Sequence, residues 1–157
     1  MHNVAQIRLA CKRLWLPTTR KMTMNRSLVA YVTTLAVFAL LDFVWLGFIA
    51  RDLYKSRIGD LMLAEPNWTA AVLFYLTFMV GVVVFAVLPA LNAGSWKHAA
   101  LYGALFGFFC YATYDLTNLA TLKGWPVTIV VADIVWGIFI SGAAATASFF
   151  ATRAILR

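Results

Sequence analysis

Three aspartates are the residues of this sequence best suited to chemistry, because each one interrupts a long apolar segment: Asp42, Asp115 and Asp133. A carboxyl group in the hydrocarbon core of a membrane is costly, and it usually marks a ligand site, a proton relay or a contact between helices. The remaining acids share one loop: Asp52, Asp60 and Glu65. The three segment aspartates are therefore the starting point for a site.

Helix geometry predicts that these aspartates lie at one depth. With a rise of about 1.5 Å per residue, Asp42 lies about 12 Å from the outer end of its segment, Asp115 about 10 Å and Asp133 about 9 Å. Tyr75 lies about 9 Å from the same surface. Unrelated residues would be scattered over both halves of the membrane, so a common depth favours a shared site.

Aromatic and amide side chains accompany the aspartates at helical spacing, where residues three and four apart share a face. Asn118 and Tyr75 are expected to donate hydrogen bonds to the carboxylates. We predict an outward-facing pocket with these candidates for ligand or proton binding: Asp42, Asp115, Asp133, Asn118, Tyr75, Tyr111, Tyr114, Trp45 and Trp136. The apolar segments contain no lysine or arginine, so a basic partner would come from the rim: Arg51, Arg57 or Lys123.

Metal sites and cofactors are not predicted. The chain has two histidines and two cysteines, which are too few and too scattered for a His/Cys metal site. A metal would have to be a hard cation bound by aspartate oxygens.

The elements that position the aspartates are four apolar segments. The chain has 157 residues, 63% hydrophobic and 12% charged, and a soluble domain needs a more polar surface. Each segment reaches the roughly 20 residues that a membrane helix requires. We predict an all-α polytopic membrane protein with four transmembrane helices in an antiparallel bundle: 27–50, 69–91, 99–122 and 127–152. A basic segment, 1–26, precedes this membrane domain of residues 27–152, and a tail, 153–157, follows it.

The distribution of the basic residues along the chain indicates membrane topology and not nucleic-acid binding. Nine of the thirteen lysines and arginines fall on one side of the predicted segments. The positive-inside rule then places both termini in the cytoplasm.

Two shorter regions carry further expectations. Residues 1–21 have the spacing of a basic interfacial helix, although a start at Met22 or Met24 explains them equally well. In the loop Arg51–Trp68, a short surface helix is expected over Tyr54–Met62, and the loop is placed to cover the site.

Small residues suggest where helices meet. Gly103 and Gly107 form a G-x-x-x-G pair that lets a neighbouring backbone approach closely. Because four helices make a thin pathway, a homo-oligomer through this pair or through the small residues of the last segment is expected, or a larger membrane complex.

Similarities within the sequence allow two interpretations. The sequence D-F-V-W at Asp42 resembles D-I-V-W at Asp133, but their helices run in opposite directions. Asp42 and Asp115 sit at matching positions in parallel helices, which suggests a parallel two-helix repeat.

Several segments resemble a known family, above all YATYDLTNLATLKGWP and the downstream D-x-x-W-G that begins at Asp133. They resemble a bacterial family of predicted membrane proteins catalogued as a domain of unknown function, over about residues 27–150. The resemblance implies a four-helix inner-membrane protein and transfers no catalytic role.

Three functions remain open from the sequence. The favoured one is binding or transport of a small or amphipathic solute, coupled to protons through the aspartates. The second is a non-catalytic accessory or scaffold subunit in which the aspartates join helices. The third is a lipid-modifying enzyme that uses the carboxylates for Mg²⁺ or acid–base chemistry.

Overall fold

The chain folds into long helices joined by short connections. The computed structural model describes residues 24–157, so the expected interfacial helix at the N terminus lies outside the described residues. Helix α1 spans Met24–Val44 and continues as a π-helical turn, Trp45–Ile49. The short helix α2, Arg51–Ile58, follows and ends in a 3-10 turn, Gly59–Leu61. It begins three residues earlier than the predicted surface helix.

Three further rods complete the fold. Helix α3, Trp68–Val82, passes through a second π-helical turn, Val83–Val87, into α4, Leu88–Ala93. Helix α5 spans Trp96–Thr121 and α6 spans Val127–Ile155. Residues 24–157 contain no strand, so the prediction of an all-α protein is confirmed.

Three of the long helical rods have the length and apolar composition to cross a membrane: Asn25–Ile49, Trp68–Ala93 and Val127–Ile155. Helix α5 matches them in length but is less apolar, since its C-terminal half carries Thr113, Asp115, Thr117 and Asn118. The chain is a membrane protein, and its fourth crossing through α5 stays a prediction.

Local sequence signals mark the points where these helices begin and end. Asn67 caps α3, because its side-chain oxygen accepts a hydrogen bond from the Ala70 N–H at 3.1 Å. Gly94 ends α4 with a left-handed φ of 66°, a conformation that glycine adopts without steric cost. Gly124, in the hairpin before α6, also adopts a left-handed φ, of 73°.

Helices α5 and α6 approach each other closely because small residues line both faces. A Cβ atom at Gly103 would lie 2.7 Å from the Ser141 carbonyl oxygen, and one at Gly107 would collide with the Gly137 carbonyl group. The two glycines are one helical turn apart, so backbone contact continues along the helices. In lipid, such contact lets dispersion forces hold helices together where the hydrophobic effect does not.

The small residues therefore pack α5 against α6 within one copy of the protein. Gly103 and Gly107 are buried, and so are Ser141, Ala144 and Ala145 of α6. Gly103 and Gly107 are therefore not free to join two copies of the protein, because α6 already covers them. Gly142 and Ala143 of α6 are half-buried, and an oligomer through them stays a prediction. Whether the protein forms an oligomer through another surface stays a prediction.

Helix α1 lies antiparallel to α6 and joins it through hydroxyl groups in the half of the bundle away from α2. Thr33 Oγ1 and Ser148 Oγ lie 2.9 Å apart. The Ser148 hydroxyl donates to the Ala30 carbonyl oxygen at 3.0 Å, and the Thr34 hydroxyl donates to the same oxygen at 2.7 Å. On the other side of α1, the Tyr31 hydroxyl donates to the Leu76 carbonyl oxygen of α3 at 3.1 Å.

The α5–α6 contact predicts a strong effect of a single methyl group. We expect Gly107→Ala to lower the free energy of unfolding by about 1–3 kcal/mol, the usual cost of overpacking a close interface. Equilibrium unfolding in mixed micelles, followed by circular dichroism, measures this change. Gly47→Ala is the control, because nothing lies within 4 Å of its Cβ position. Equal losses for the two variants would contradict the proposed role of this contact.

Candidate functional site

Asp42 joins three helices through its two carboxylate oxygens. The Tyr75 hydroxyl of α3 donates to Oδ2 at 2.5 Å, and the Trp136 indole N–H of α6 donates to Oδ1 at 3.1 Å. The side chain of Asp42 is almost fully buried, at 5% exposure. Since each oxygen has a donor, Asp42 is a satisfied buried acceptor that ties α1 to its two neighbours.

Two tryptophans stack beside this acceptor. The rings of Trp45 and Trp136 are nearly parallel, at 7°, with centroids 4.4 Å apart. Trp45 lies in the π-helical turn that follows Asp42, and π-helical turns are frequent at functional sites because they reorient side chains locally. The stack forms one wall of the region between α1 and α6.

Asp133 is bound by a residue of the loop. The Tyr54 hydroxyl of α2 donates a short hydrogen bond to Asp133 Oδ1, and the Trp45 indole N–H donates to the Tyr54 oxygen at 3.3 Å. Burial raises the pKa of the Tyr54 phenol, and the hydrogen bond to Asp133 raises it further. Tyr54 therefore stays protonated and donates at physiological pH, which holds α2 over the end of the bundle.

The two D-x-x-W sequences meet in a crossed arrangement. Trp136 donates to Asp42, the aspartate of the other sequence. Trp45 reaches Asp133 through the Tyr54 hydroxyl. The similarity between these sequences thus corresponds to mutual contacts between two antiparallel helices, whereas Asp42 and Asp115 have different surroundings.

Asp115 differs from the other two aspartates because nothing pairs with it. Its side chain is 0% exposed, and within residues 24–157 neither carboxylate oxygen has a hydrogen-bond partner. The Trp125 indole N–H of the hairpin is the donor that faces this carboxyl group, but it does not reach hydrogen-bonding geometry. A buried carboxylate without a partner is strongly unfavourable, so Asp115 is stable only when it is neutral or bound to something further.

The carboxyl groups share one region without converging on one point. Asp133 lies within electrostatic range of both Asp42 and Asp115. Among the described residues, however, no three or more His, Cys, Asp or Glu side chains are grouped closely enough to hold a metal ion. A shared Mg²⁺ site of three carboxylates therefore does not fit this geometry.

Tyr111 links the acidic region to an apolar crevice. It lies within electrostatic range of Asp42, Asp133, Tyr54 and Tyr75. Its ring also lies against the Gly137 backbone, where a Cβ atom would collide with it.

The apolar crevice lies between α3 and the C-terminal half of α5. It has a volume of about 310 Å³ and is lined by Phe74, Phe78, Cys110, Tyr111 and Tyr114. Tyr114 therefore lines this crevice, with 60% of its surface exposed, and no described carboxylate accepts a hydrogen bond from it.

Neither the predicted Asn118 contact nor a contact from a rim cation is found in the described part of the chain. Asn118 is half-buried and donates to none of the three carboxylates. The rim cations Arg51, Arg57 and Lys123 are exposed, and the donors to Asp42 and Asp133 are tyrosine and tryptophan instead.

Tyr54 and Trp125 are the residues that sequence reasoning missed. Tyr54 had a weak signal, because Ala50, Tyr54 and Ile58 follow each other at i, i+4 spacing and give the short helix one apolar face. Trp125 lies in a short hairpin, where a tryptophan is typical of a membrane-interface anchor, and no sequence pattern indicates that its N–H faces Asp115.

The helical fold and the membrane-length rods define an all-α integral membrane protein. A family model described as "Predicted membrane protein (DUF2177)" matches residues 27–150, and the chain belongs to this family. No curated protein and no solved structure matches the chain significantly.

The Asp42 contacts predict measurable coupling between helices. In a double-mutant cycle of Asp42→Ala and Tyr75→Phe, we expect a coupling energy of about 0.5–2 kcal/mol, the range for hydrogen bonds between membrane helices. Unfolding in mixed micelles provides the four free energies. The matched cycle replaces Tyr75→Phe by Tyr114→Phe, which removes an exposed hydroxyl, and should show no coupling. A coupling of zero in both cycles would contradict the assignment of Asp42 as a helix junction.

The Tyr54 contact predicts how firmly α2 is held. Tyr54→Phe removes one hydrogen bond to Asp133 and one from Trp45, so we expect amide hydrogen exchange over residues 51–58 to accelerate at least about fivefold. Mass spectrometry of peptides from this segment gives the rates. Ser56→Ala is the control, since its exposed hydroxyl bonds only within the same helix, to the Leu53 carbonyl oxygen. Unchanged exchange in Tyr54→Phe would show that other contacts hold α2.

Proposed function

We propose that this protein binds a small or amphipathic solute in the outer half of its membrane domain and moves it in exchange for protons. The observation that carries the proposal is Asp115, whose carboxyl group is fully buried with both oxygens unpaired. A protein keeps such a group at a cost in stability, which is typical of residues that bind a ligand or a proton.

The three aspartates have different roles in this proposal, according to their partners. Asp42 has both oxygens satisfied and positions the helices. Asp133 is bound on one oxygen by Tyr54 and connects the loop helix to the site. Asp115 accepts the proton or the positively charged group of the solute.

The membrane setting of the proposal follows the charge distribution. With four crossings, and with nine of thirteen basic residues on one side, both termini lie in the cytoplasm of a bacterium and the protein lies in the inner membrane. The membrane domain is then residues 27–152, and the Asp115 region faces the periplasmic half.

An accessory or scaffold role is the second candidate, and Asp42 favours it. Its hydrogen bonds from Tyr75 and Trp136 are what a helix-joining aspartate requires. This role accounts for Asp42 but not for Asp115, which joins nothing. A lipid-modifying enzyme that uses three metal-bound carboxylates has less support, because the carboxylates do not converge.

The proposal predicts opposite effects at two aspartates. We expect Asp115→Asn to abolish proton movement driven by a solute and to leave thermal stability unchanged or higher, because no hydrogen bond is lost. Asp42→Asn should lower the free energy of unfolding by about 0.5–2 kcal/mol, since an amide group replaces an oxygen that accepts a hydrogen bond.

Proteoliposomes with a pH-sensitive dye inside test this prediction. Amino acids, sugars and alkylamines are added in turn, and the dye reports proton movement for the wild type and both variants. Full proton movement in Asp115→Asn with a solute that is active in the wild type would overturn the proposal. A loss of stability in Asp115→Asn equal to that in Asp42→Asn would favour the scaffold role.

A further inference from the structure

We infer that the solute is an amphiphile with an ammonium head group, which enters sideways from the surrounding lipid leaflet with its apolar chain in the crevice between α3 and α5. This inference rests on the proposed function and specifies its ligand and its route. It combines two neighbouring features, an apolar crevice open to lipid and an acidic region to which no lysine or arginine of residues 24–157 donates a hydrogen bond.

The crevice suits an alkyl chain. Its walls are aromatic and thiol side chains, and the residues at its mouth, Phe74 and Tyr114, are 43% and 60% exposed. In a membrane that exposed surface faces lipid tails, so a chain can pass from the leaflet into the crevice without crossing water.

Aromatic packing closes the crevice towards the other half of the bundle. Phe78 is 9% exposed, and its ring centroid lies 5.2 Å from that of Phe106. Phe106 in turn lies against Gly81, where a side chain would collide with it. Helices α3 and α5 therefore separate in the outer half only, and a chain of limited depth fits between them.

Tyr111 is the boundary between the apolar and the acidic parts. Its ring contacts Phe78 edge-on at 6.1 Å and lines the crevice, while it also lies within electrostatic range of Asp42 and Asp133. Asp115 lies one helical turn beyond Tyr111 on the same face of α5. A head group at the end of a chain in the crevice therefore reaches the acidic region past Tyr111.

Charge complementarity selects the head group. The acidic region contains Asp42, Asp115 and Asp133. Within the described residues, Asp115 accepts no hydrogen bond and Asp133 accepts one from Tyr54, and the donors to Asp42 are the uncharged side chains of Tyr75 and Trp136. An ammonium group supplies three N–H donors and a positive charge, and tyrosine and tryptophan rings bind such cations on their faces. A phosphate or carboxylate head would face like charge, and a neutral hydroxyl would leave the carboxylate uncompensated.

A second apolar groove provides the internal comparison. It lies between α1 and the inner half of the α3–α4 rod, has a volume of about 390 Å³, and is lined by Ser27, Tyr31, Val83 and Leu88 among others. Among the described residues, no acid lines either groove, but the first includes Tyr111, which lies within electrostatic range of Asp42 and Asp133. A probe that merely partitions into apolar grooves should label both, whereas a ligand drawn by the acidic region should label only the first.

Photolabelling tests the inference directly. The whole protein is placed in phosphatidylcholine nanodiscs with dodecylamine that carries a diazirine near the end of its chain. We expect crosslinks at the crevice residues Phe74, Phe78, Cys110 and Tyr114, competed by unlabelled dodecylamine. In Asp115→Asn, the apparent affinity should fall at least about tenfold, the effect of losing one charge-assisted hydrogen bond. Dodecanol and dodecyl phosphate with the same diazirine are the head-group controls.

A pair of bulky variants tests the route. Cys110→Trp fills the crevice and should remove the crosslinks to Phe74 and Tyr114. Thr113→Trp is the matched control, since Thr113 is exposed on the same helix and does not line the crevice, and its labelling should equal that of the wild type.

Each outcome of the experiment decides the inference. Equal labelling by the amine and the alcohol, crosslinks confined to the second groove, or full labelling in Cys110→Trp would overturn it. If Asp115→Asn abolishes proton movement driven by an amino acid or a sugar while the amine probe does not label the crevice, the proposed function stands and the amphiphile route is wrong. Labelling of the crevice with unchanged proton movement in Asp115→Asn would instead refute the transport function.

Discussion

The hydrogen bonds accepted by Asp42 are the interaction on which the half of the bundle next to α2 depends. A membrane offers no water to satisfy a buried carboxylate, so its donors must come from neighbouring helices. Tyr75 and Trp136 supply them, and in doing so they fix α3 and α6 against α1. The position of Trp136 then determines its stack with Trp45, and that stack supports Tyr54 of α2. One satisfied acid thus organises four helices.

The contact between α5 and α6 is the complementary constraint. Gly107 lets the Gly137 backbone approach closely, so that α5 and α6 pack backbone to backbone. Asp115 lies two turns beyond Gly107, where the pair ends at the hairpin. Its carboxyl group is therefore positioned by its helix and not by a hydrogen bond.

The three aspartates of the site differ in how many of their carboxylate oxygens accept a hydrogen bond. Asp42 is satisfied, Asp133 is partly satisfied through Tyr54, and Asp115 has no partner in the described chain. Tyr111 lies between these acids and a crevice that reaches the lipid-facing surface. An apolar route that ends at an unneutralised carboxyl is suited to an amphiphile with a positive head. The same route disfavours sugars and anions, which have no apolar part or carry the wrong charge.

The sequence by itself determined the helical class and the membrane setting, because hydropathy is a local property. Helix rise also predicted one depth for the aspartates and for Tyr75, but it did not say which carboxyl group the Tyr75 hydroxyl contacts. Only the tertiary structure decided which partner each acid has. Tyr54 reaches Asp133 from a loop, Gly103 packs against α6 within the chain, and Asn118 does not donate to Asp115. These contacts depend on the rotation of each helix about its axis. That rotation is set by packing between helices, a non-local property that spacing along one chain does not contain.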